Sequence, residues 1–110
     1  MPRREWRHRV ADILDAIGKI QRYASGLTFE QFQADDKTVD AVIRNLEVIG
    51  EAVRHLSAEQ DDLPAGVPWS DIAGMRNILV HEYFGVDLAI VWQTVTVDLP
   101  ELQEELQRLR

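Results

Sequence analysis

Apolar residues recur every three or four positions along most of the chain, and this spacing predicts helices. The first such segment runs from Arg4 to Ala24. Its apolar positions are Trp6, Val10, Ile13, Ile17, Ile20 and Ala24. Spacings of three and four place these side chains on one side of an α-helix. We therefore predict a long first helix, which ends at Ser25-Gly26.

A short second helix is predicted from a capping signal. Thr28 and Gln31 have the spacing of a capping box, in which each side chain accepts a hydrogen bond from the other residue's backbone amide. The apolar residues Phe29 and Phe32 follow the cap and should face the interior. We expect this helix to reach about Ala34.

The third predicted helix runs from about Lys37 to Leu56 and has an apolar stripe of seven residues: Val39, Val42, Ile43, Leu46, Ile49, Val53 and Leu56. Either Asp35 or Asp36 could cap it, because a carboxylate accepts hydrogen bonds from the first free amides of a helix. Residues 57–67 contain Pro and Gly and show no periodicity, so they are predicted to form a loop.

The second half of the chain predicts further helices. One begins at about Ser70 and ends near Phe84, and Asp87 can cap the next. Pro100 either kinks that helix or begins a final one. Ile90–Val97 favours helix least, because Val and Thr prefer strands. The sequence thus predicts an all-α, up-and-down bundle of four to five helices in one domain, residues 1–110.

Composition narrows the possible functions only moderately. The chain has no cysteine and no apolar run long enough to cross a bilayer, so we expect a cytoplasmic protein. The net charge of −7 disfavours a general nucleic-acid binder, although a nuclease can cluster its cations. Arg3, Arg4, Arg7 and Arg9 form one such cluster. Asp35-Asp36 lies at a predicted helix start and Asp61-Asp62 in a predicted loop, where Asp commonly serves as a cap. We therefore predict neither a metal site nor a cofactor.

Residues 76–83 concentrate side chains suited to phosphate chemistry. Arg76 can hold a phosphoryl group in two-point contact, and His81 can accept and return a proton near neutral pH. Tyr83 offers a hydroxyl donor, and Asn77 can orient a neighbouring group. On one ideal helix Arg76 and His81 point about 140° apart. A second copy across a two-fold axis could complete the site. The alternative is structural: a His near a helix end offsets the dipole.

The segment Arg76-Asn77-Ile78-Leu79-Val80-His81-Glu82-Tyr83 resembles the signature of HEPN domains. Its spacing of Arg, four residues, His, one residue and Tyr is that of the HepT-like family. Residues 41–52 are similar to the central helix of that family, and residues 68–75 precede the motif as in its members. The resemblance covers nearly the whole chain.

The resemblance implies a metal-independent RNA endonuclease with its active site at a homodimer interface. Arg76 would hold the scissile phosphate, His81 would take the proton of the RNA 2′-hydroxyl, and Asn77 would orient one of these groups. Tyr83 matches the tyrosine that receives AMP from a partner, a minimal nucleotidyltransferase encoded by a neighbouring gene. The pair would act as a type VII-like toxin and antitoxin.

Four polar residues of the third helix are supporting candidates: Arg44, Asn45, Glu47 and Glu51. They are either a solvated face with an ordinary ion pair or, as the resemblance favours, the wall of a cleft opposite the motif helix. Two other functions stay open. One is a non-catalytic HEPN subunit that serves a nucleotidyltransferase, and the other is an obligate helical dimer without chemistry.

Overall fold

The computed structural model describes residues 3–59, 69, 72 and 87–108, and these residues are almost entirely helical. The helices are α1 (Arg3–Ala24), α2 (Phe29–Ala34), α3 (Asp36–Glu59), α4 (Leu88–Gln93) and α5 (Leu99–Gln107), with a π-helical turn (Thr94–Asp98) between the last two. No strand occurs in these ranges, so the prediction of an all-α fold is confirmed. Within the same ranges, no helix is long and apolar enough to cross a membrane.

The core lies where α1 packs along α3 and where α5 closes on α1. Its largest wholly buried side chains come from these three helices and from α2. They are Val10, Ile13, Ile17, Ile20, Phe32, Val42, Ile49, Leu56, Leu99, Leu102 and Leu106. Burying one such side chain stabilises the fold by about 1.5–3 kcal/mol. The predicted apolar stripes are therefore the buried faces.

The signals that separate the first three helices act as predicted. Gly26 has a φ of +76°, a left-handed conformation that glycine adopts without strain, and α1 ends two residues before it. Thr28 and Gln31 form the capping box, with reciprocal bonds of 2.9 and 3.1 Å. Asp35 is the cap of α3, since it accepts bonds from the amide and the hydroxyl of Thr38. These bonds lower the pKa of the Asp35 carboxyl.

The third helix is longer than the sequence pattern predicts. Its apolar stripe ends at Leu56, but the helix continues to Glu59. The predicted loop therefore begins too early. Residues 57–59 contain no Pro or Gly, and the first Pro of the predicted loop is Pro64. Once a helix has formed, each added residue gains one backbone hydrogen bond, so residues without Pro or Gly can continue it beyond the apolar stripe.

The chain around residues 88–98 is helical, although its Val and Thr content makes it the weakest helical prediction. Asp87 caps α4 by accepting a hydrogen bond of 2.9 Å from the amide of Ala89. The hydroxyls of Thr94 and Thr96 donate to carbonyls four residues earlier, at 3.0 and 2.8 Å. These bonds satisfy both hydroxyls inside the helix. Burial of Val91 and Val95 in the core outweighs the local preference of Val and Thr for strands.

A π-helical turn allows the helix to pass into Pro100. In a regular α-helix the proline ring would collide with the carbonyl four residues earlier. Here the amide of Leu99 donates to the carbonyl of Thr94, five residues back, so the turn before the proline is wider. Pro100 then occupies the first turn of α5, where its missing amide proton is not needed. Residues 88–107 therefore form one continuous helical stretch, and Pro100 lies in the first turn of its last α-helical segment.

Side-chain pairs connect elements that are distant in sequence. Trp92 of α4 packs against Phe32 of α2 at a ring-centroid distance of 4.9 Å and against Phe29 at 6.4 Å. The amides of Gln21 and Gln103 exchange two hydrogen bonds, of 3.0 and 3.2 Å, between α1 and α5. The aromatic contacts hold α4 against α2, and the amide pair holds α5 against α1.

Candidate functional site

The α1 and α3 helices border an open groove of about 450 Å³. From α1 it is lined by Arg9, Asp12, Asp15, Ala16 and Lys19. From α3 it is lined by Arg44, Asn45, Glu47, Val48, Glu51 and Ala52. We call this space the α1–α3 groove. Its volume lies within the range of small-ligand sites, which is roughly 300–1,000 Å³.

All four supporting candidates predicted on the third helix lie together in the α1–α3 groove. Arg44 is exposed at its rim, and one guanidinium nitrogen stands 3.7 Å from a carboxylate oxygen of Glu47. Asn45 donates from its amide nitrogen to the carbonyl of Ala41, at 2.9 Å. Glu51 is half-buried and contacts His55, with 3.2 Å between Oε1 and Nε2. Arg44, Glu47 and Glu51 share a face because they are three, four and seven residues apart, and Asn45, Val48 and Ala52 of the groove have the same spacings.

The opposite wall of the groove is a set of residues that the sequence analysis does not single out. Asp12, Asp15 and Lys19 follow one another at spacings of three and four on α1. Lys19 and Asp15 form an exposed ion pair of 3.5 Å. The same spacing that marks an apolar stripe could have revealed this polar stripe. Its pairing with α3 could not be read from the sequence, because periodicity does not say which helices become neighbours.

Small side chains make the groove possible. Ala16 and Ala52 are buried at its floor, with 3% and 6% of their surface exposed, and Val48 is partly buried beside them. Larger residues at these positions would fill the space between the two helices. Charged side chains then stand around a small apolar floor.

The charges around the groove are mixed. Among the described lining residues, the three cations Arg9, Lys19 and Arg44 accompany four carboxylates, from Asp12, Asp15, Glu47 and Glu51. The two ion pairs within the groove, at 3.5 and 3.7 Å, exceed the usual 2.7–3.2 Å of a hydrogen bond. Exposed pairs of this kind contribute about 0–1 kcal/mol. These cations can therefore turn towards a ligand at little cost.

The acidic residues of the groove do not form a metal centre. Within the ranges 3–59 and 87–108, no three His, Asp or Glu residues are placed so that they could hold one ion.

The sequence motif itself is not placed by the structure. Trp69, one residue before the predicted start of its helix, is already helical, and Ile72 is helical and buried, as its apolar pattern predicts. Arg76, Asn77, His81 and Tyr83 lie outside the described residues, and their convergence stays a prediction.

Comparison with known proteins defines the class of this chain. A family described as ribonuclease HepT-like matches residues 13–109. The chain therefore belongs to the ribonuclease HepT-like family. The matched region contains the whole of residues 76–83, and it contains both walls of the groove except for Arg9 and Asp12.

Individual relatives are similar along most of their length. The chain is 40% identical over 108 residues to a protein of Thermococcus cleftensis named "probable ribonuclease HepT", and the match covers 98% of each. A candidate RNase of Caldanaerobacter subterraneus is 44% identical over 84 residues, which are 76% of this chain and 75% of that protein. A candidate RNase of Methanocaldococcus jannaschii is 38% identical over 109 residues, covering 99% of this chain and 90% of its own length. No solved structure matches the chain significantly.

Proposed function

We propose that this chain, acting as a single HEPN-type domain over residues 1–110, is a metal-independent RNA endonuclease that works as a homodimer. The proposal rests on one observation above all. The family match spans the segment that carries an Arg, a His and a Tyr at the spacing of Arg76, His81 and Tyr83. The relatives named as ribonucleases support the choice of RNA as substrate.

The proposed reaction uses the RNA's own 2′-hydroxyl as nucleophile. His81 takes its proton, the 2′-oxygen attacks the phosphorus, and Arg76 neutralises the charge that develops on the phosphate oxygens. The bond from phosphorus to the 5′-oxygen breaks, and His81 of a second protomer gives that oxygen a proton. Asn77 orients one of the reacting groups. The products are a 2′,3′-cyclic phosphate and a 5′-hydroxyl, and no step requires a metal-activated water.

Regulation is proposed to act through Tyr83. A nucleotidyltransferase antitoxin, encoded by a neighbouring gene, would join the tyrosine oxygen to the α-phosphorus of ATP and release pyrophosphate. The added AMP places bulk and negative charge beside Arg76 and His81, where an RNA phosphate has to bind. RNA is then excluded by steric overlap and by repulsion.

Arg44, Asn45, Glu47 and Glu51 are proposed to support catalysis as the wall of the RNA cleft opposite the motif. Their grouping in one groove supports this assignment, because an ordinary solvated face would not need a recess with a small apolar floor. The recess places charged and amide groups beside a space that a ligand can enter.

The test of catalysis is RNA cleavage by purified protein in the presence of a chelator. We expect cleavage by the unchanged chain and products that end in cyclic phosphate. His81→Ala and Arg76→Ala should each lower the rate at least 100-fold, because each removes a group that acts in the transition state. Circular dichroism checks that both variants fold. Cleavage at an unchanged rate in both variants would rule out this site.

The test of regulation is mass spectrometry after incubation with the partner transferase and ATP. We expect added AMP on the unchanged chain and none on Tyr83→Phe, with loss of cleavage only in the modified protein. Modification of Tyr83→Phe to the same extent would show that another residue is the acceptor. A transferase without its nucleotide-binding residues is the control.

The net charge of −7 favours one alternative, a non-catalytic HEPN subunit that serves the transferase. Such a subunit would bind the transferase tightly and would leave RNA intact in the chelator assay. Cleavage that depends on His81 excludes it.

A further inference from the structure

The α1–α3 groove presents two kinds of polar group that take no part in the proton transfers of the proposed cleavage step. One kind is the set of cations at its rim, and the other is a row of hydrogen-bond acceptors between them. We propose that the groove binds a single-stranded RNA segment next to the scissile linkage, with its cations on phosphates and its acceptors on the amino groups of bases. This inference rests on the proposed ribonuclease function and adds to it the selection of the RNA sequence.

The positions of the cations fit a strand that follows the groove. Arg9 and Lys19 are ten residues apart on α1, which at a rise of 1.5 Å per residue is about 15 Å. Successive phosphates of an extended single strand are roughly 6–7 Å apart, so these cations can reach phosphates about two nucleotides apart. Arg44 stands on the other wall with 74% of its side chain exposed, and its ion-pair distance of 3.7 Å leaves its fork available.

The acceptors of the groove determine which bases fit. Asp15, Glu47 and Glu51 can only accept hydrogen bonds when ionised. Asn45 uses its amide nitrogen on a backbone carbonyl, so its amide oxygen is the group that it offers to a ligand. Cytosine, adenine and guanine carry exocyclic amino groups that donate to such acceptors. Uracil has no amino group: it offers a carboxylate only its N3–H, which lies between two carbonyl oxygens that the carboxylate repels. The groove should therefore prefer bases with an amino group.

The same acceptors disfavour other nucleic acids. A duplex would bring two rows of phosphates to a surface on which four carboxylates stand, and its amino groups would already be paired. A single strand can turn its bases towards the floor and its phosphates towards the rim, which separates the phosphates from the carboxylates. The apolar floor of Ala16, Val48 and Ala52 offers a surface against which one base can lie.

The first experiment measures RNA affinity without cleavage. A His81→Ala background is titrated with fluorescent eight-nucleotide oligocytidylate at several salt concentrations. Lys19→Gln and Arg44→Gln should each weaken binding about 3- to 10-fold. Each should also reduce the salt dependence of log K by about 0.7, the value for one phosphate contact on a single strand. Lys37→Gln is the matched control, since Lys37 is exposed on α3 but does not line the groove, and it should leave affinity unchanged.

The second experiment measures base selection. Oligouridylate should bind the same background about 10-fold more weakly than oligocytidylate. Glu47→Gln should reduce this ratio to about 2, because a carboxamide can donate to the uracil carbonyl. Equal affinity for the two strands, or full affinity in a Lys19→Gln/Arg44→Gln double variant, would overturn the inference. Groove variants that weaken only the complex with the transferase would also overturn it, since the groove would then be a protein-docking surface.

The two proposals can fail separately. Groove-dependent RNA binding by a chain that does not cut RNA would remove the cleavage proposal and keep this one. Cleavage that depends on His81, with base preference and affinity unaltered by the groove variants, would keep the cleavage proposal and remove the proposal that the groove binds RNA.

Discussion

The contact of Phe32 with Trp92 should be a main support of α4, the helix that begins at Leu88. Phe32 is wholly buried, and its ring centroid is 4.9 Å from that of Trp92. Phe→Ala changes in cores cost about 3–5 kcal/mol, and an aromatic pair contributes about 0.5–1.5 kcal/mol of its own. Phe32→Ala should therefore lower the free energy of unfolding by about 4 kcal/mol. At about 4 °C or more per kcal/mol, Tm should fall by roughly 15–25 °C.

Phe29 provides a matched control for this prediction. It lies on the same helix and faces the same indole, but it is only partly buried and its centroid distance is 6.4 Å. Phe29→Ala should cost about half as much or less. Urea unfolding followed by circular dichroism measures both changes, and double-mutant cycles with Trp92→Leu should give about 1 kcal/mol of coupling for Phe32 and less for Phe29. Equal costs, or no coupling for Phe32, would refute the reasoning.

Three further changes test the local interactions. Asp87→Ala should destabilise the protein by about 1 kcal/mol in urea unfolding because it removes a helix cap, whereas Asp87→Asn should cost little. Thr38→Val should raise the Asp35 pKa towards its ordinary value in an NMR titration. Folding lowers the Asp35 pKa, so the ionised carboxylate stabilises the folded protein at pH values above the unfolded-state pKa. This stabilisation is lost as the pH falls through the folded-state pKa, and Thr38→Val should make that loss smaller. Gln21→Leu should cost about 1–2 kcal/mol by leaving the amide of Gln103 without its bonds, and adding Gln103→Leu should recover most of it. The helix-cap prediction would be contradicted if Asp87→Asn cost as much stability as Asp87→Ala. The second would be contradicted by an unshifted Asp35 pKa in Thr38→Val, and the third by unaltered stability in Gln21→Leu.

The helices could be predicted closely wherever a local signal decides the structure. The capping box at Thr28, the positive φ at Gly26 and the cap at Asp87 depend on residues a few positions apart, so the sequence contains all the information needed. The end of α3 cannot be predicted from the apolar stripe, because the stripe stops at Leu56 while the backbone continues as a helix to Glu59. The π-helical turn before Pro100 cannot be predicted from apolar periodicity, because it relieves a steric clash of the proline ring that the spacing of apolar residues does not reveal.

The candidate site could be predicted only in part. Arg44, Asn45, Glu47 and Glu51 were chosen from one helix face, and they do share one groove. Their neighbours from α1 were missed, because helix packing decides which two polar faces meet. The meeting of Arg76 with His81 stays a prediction from the motif and the family. It depends on tertiary and subunit contacts that no spacing along one helix determines.

The amide pair between Gln21 and Gln103 also bears on the order in which the molecule is assembled. The two residues are 82 positions apart, so their meeting encloses most of the chain, including residues 76–83, in one loop. Contacts between α1 and α3 close a much shorter stretch and lose less chain entropy. The first three helices can thus associate early, before α5 packs against α1. The contact between α1 and α5 can form only after α5 has been synthesised, so a nascent chain can hold its first three helices together before its last helix is joined to them.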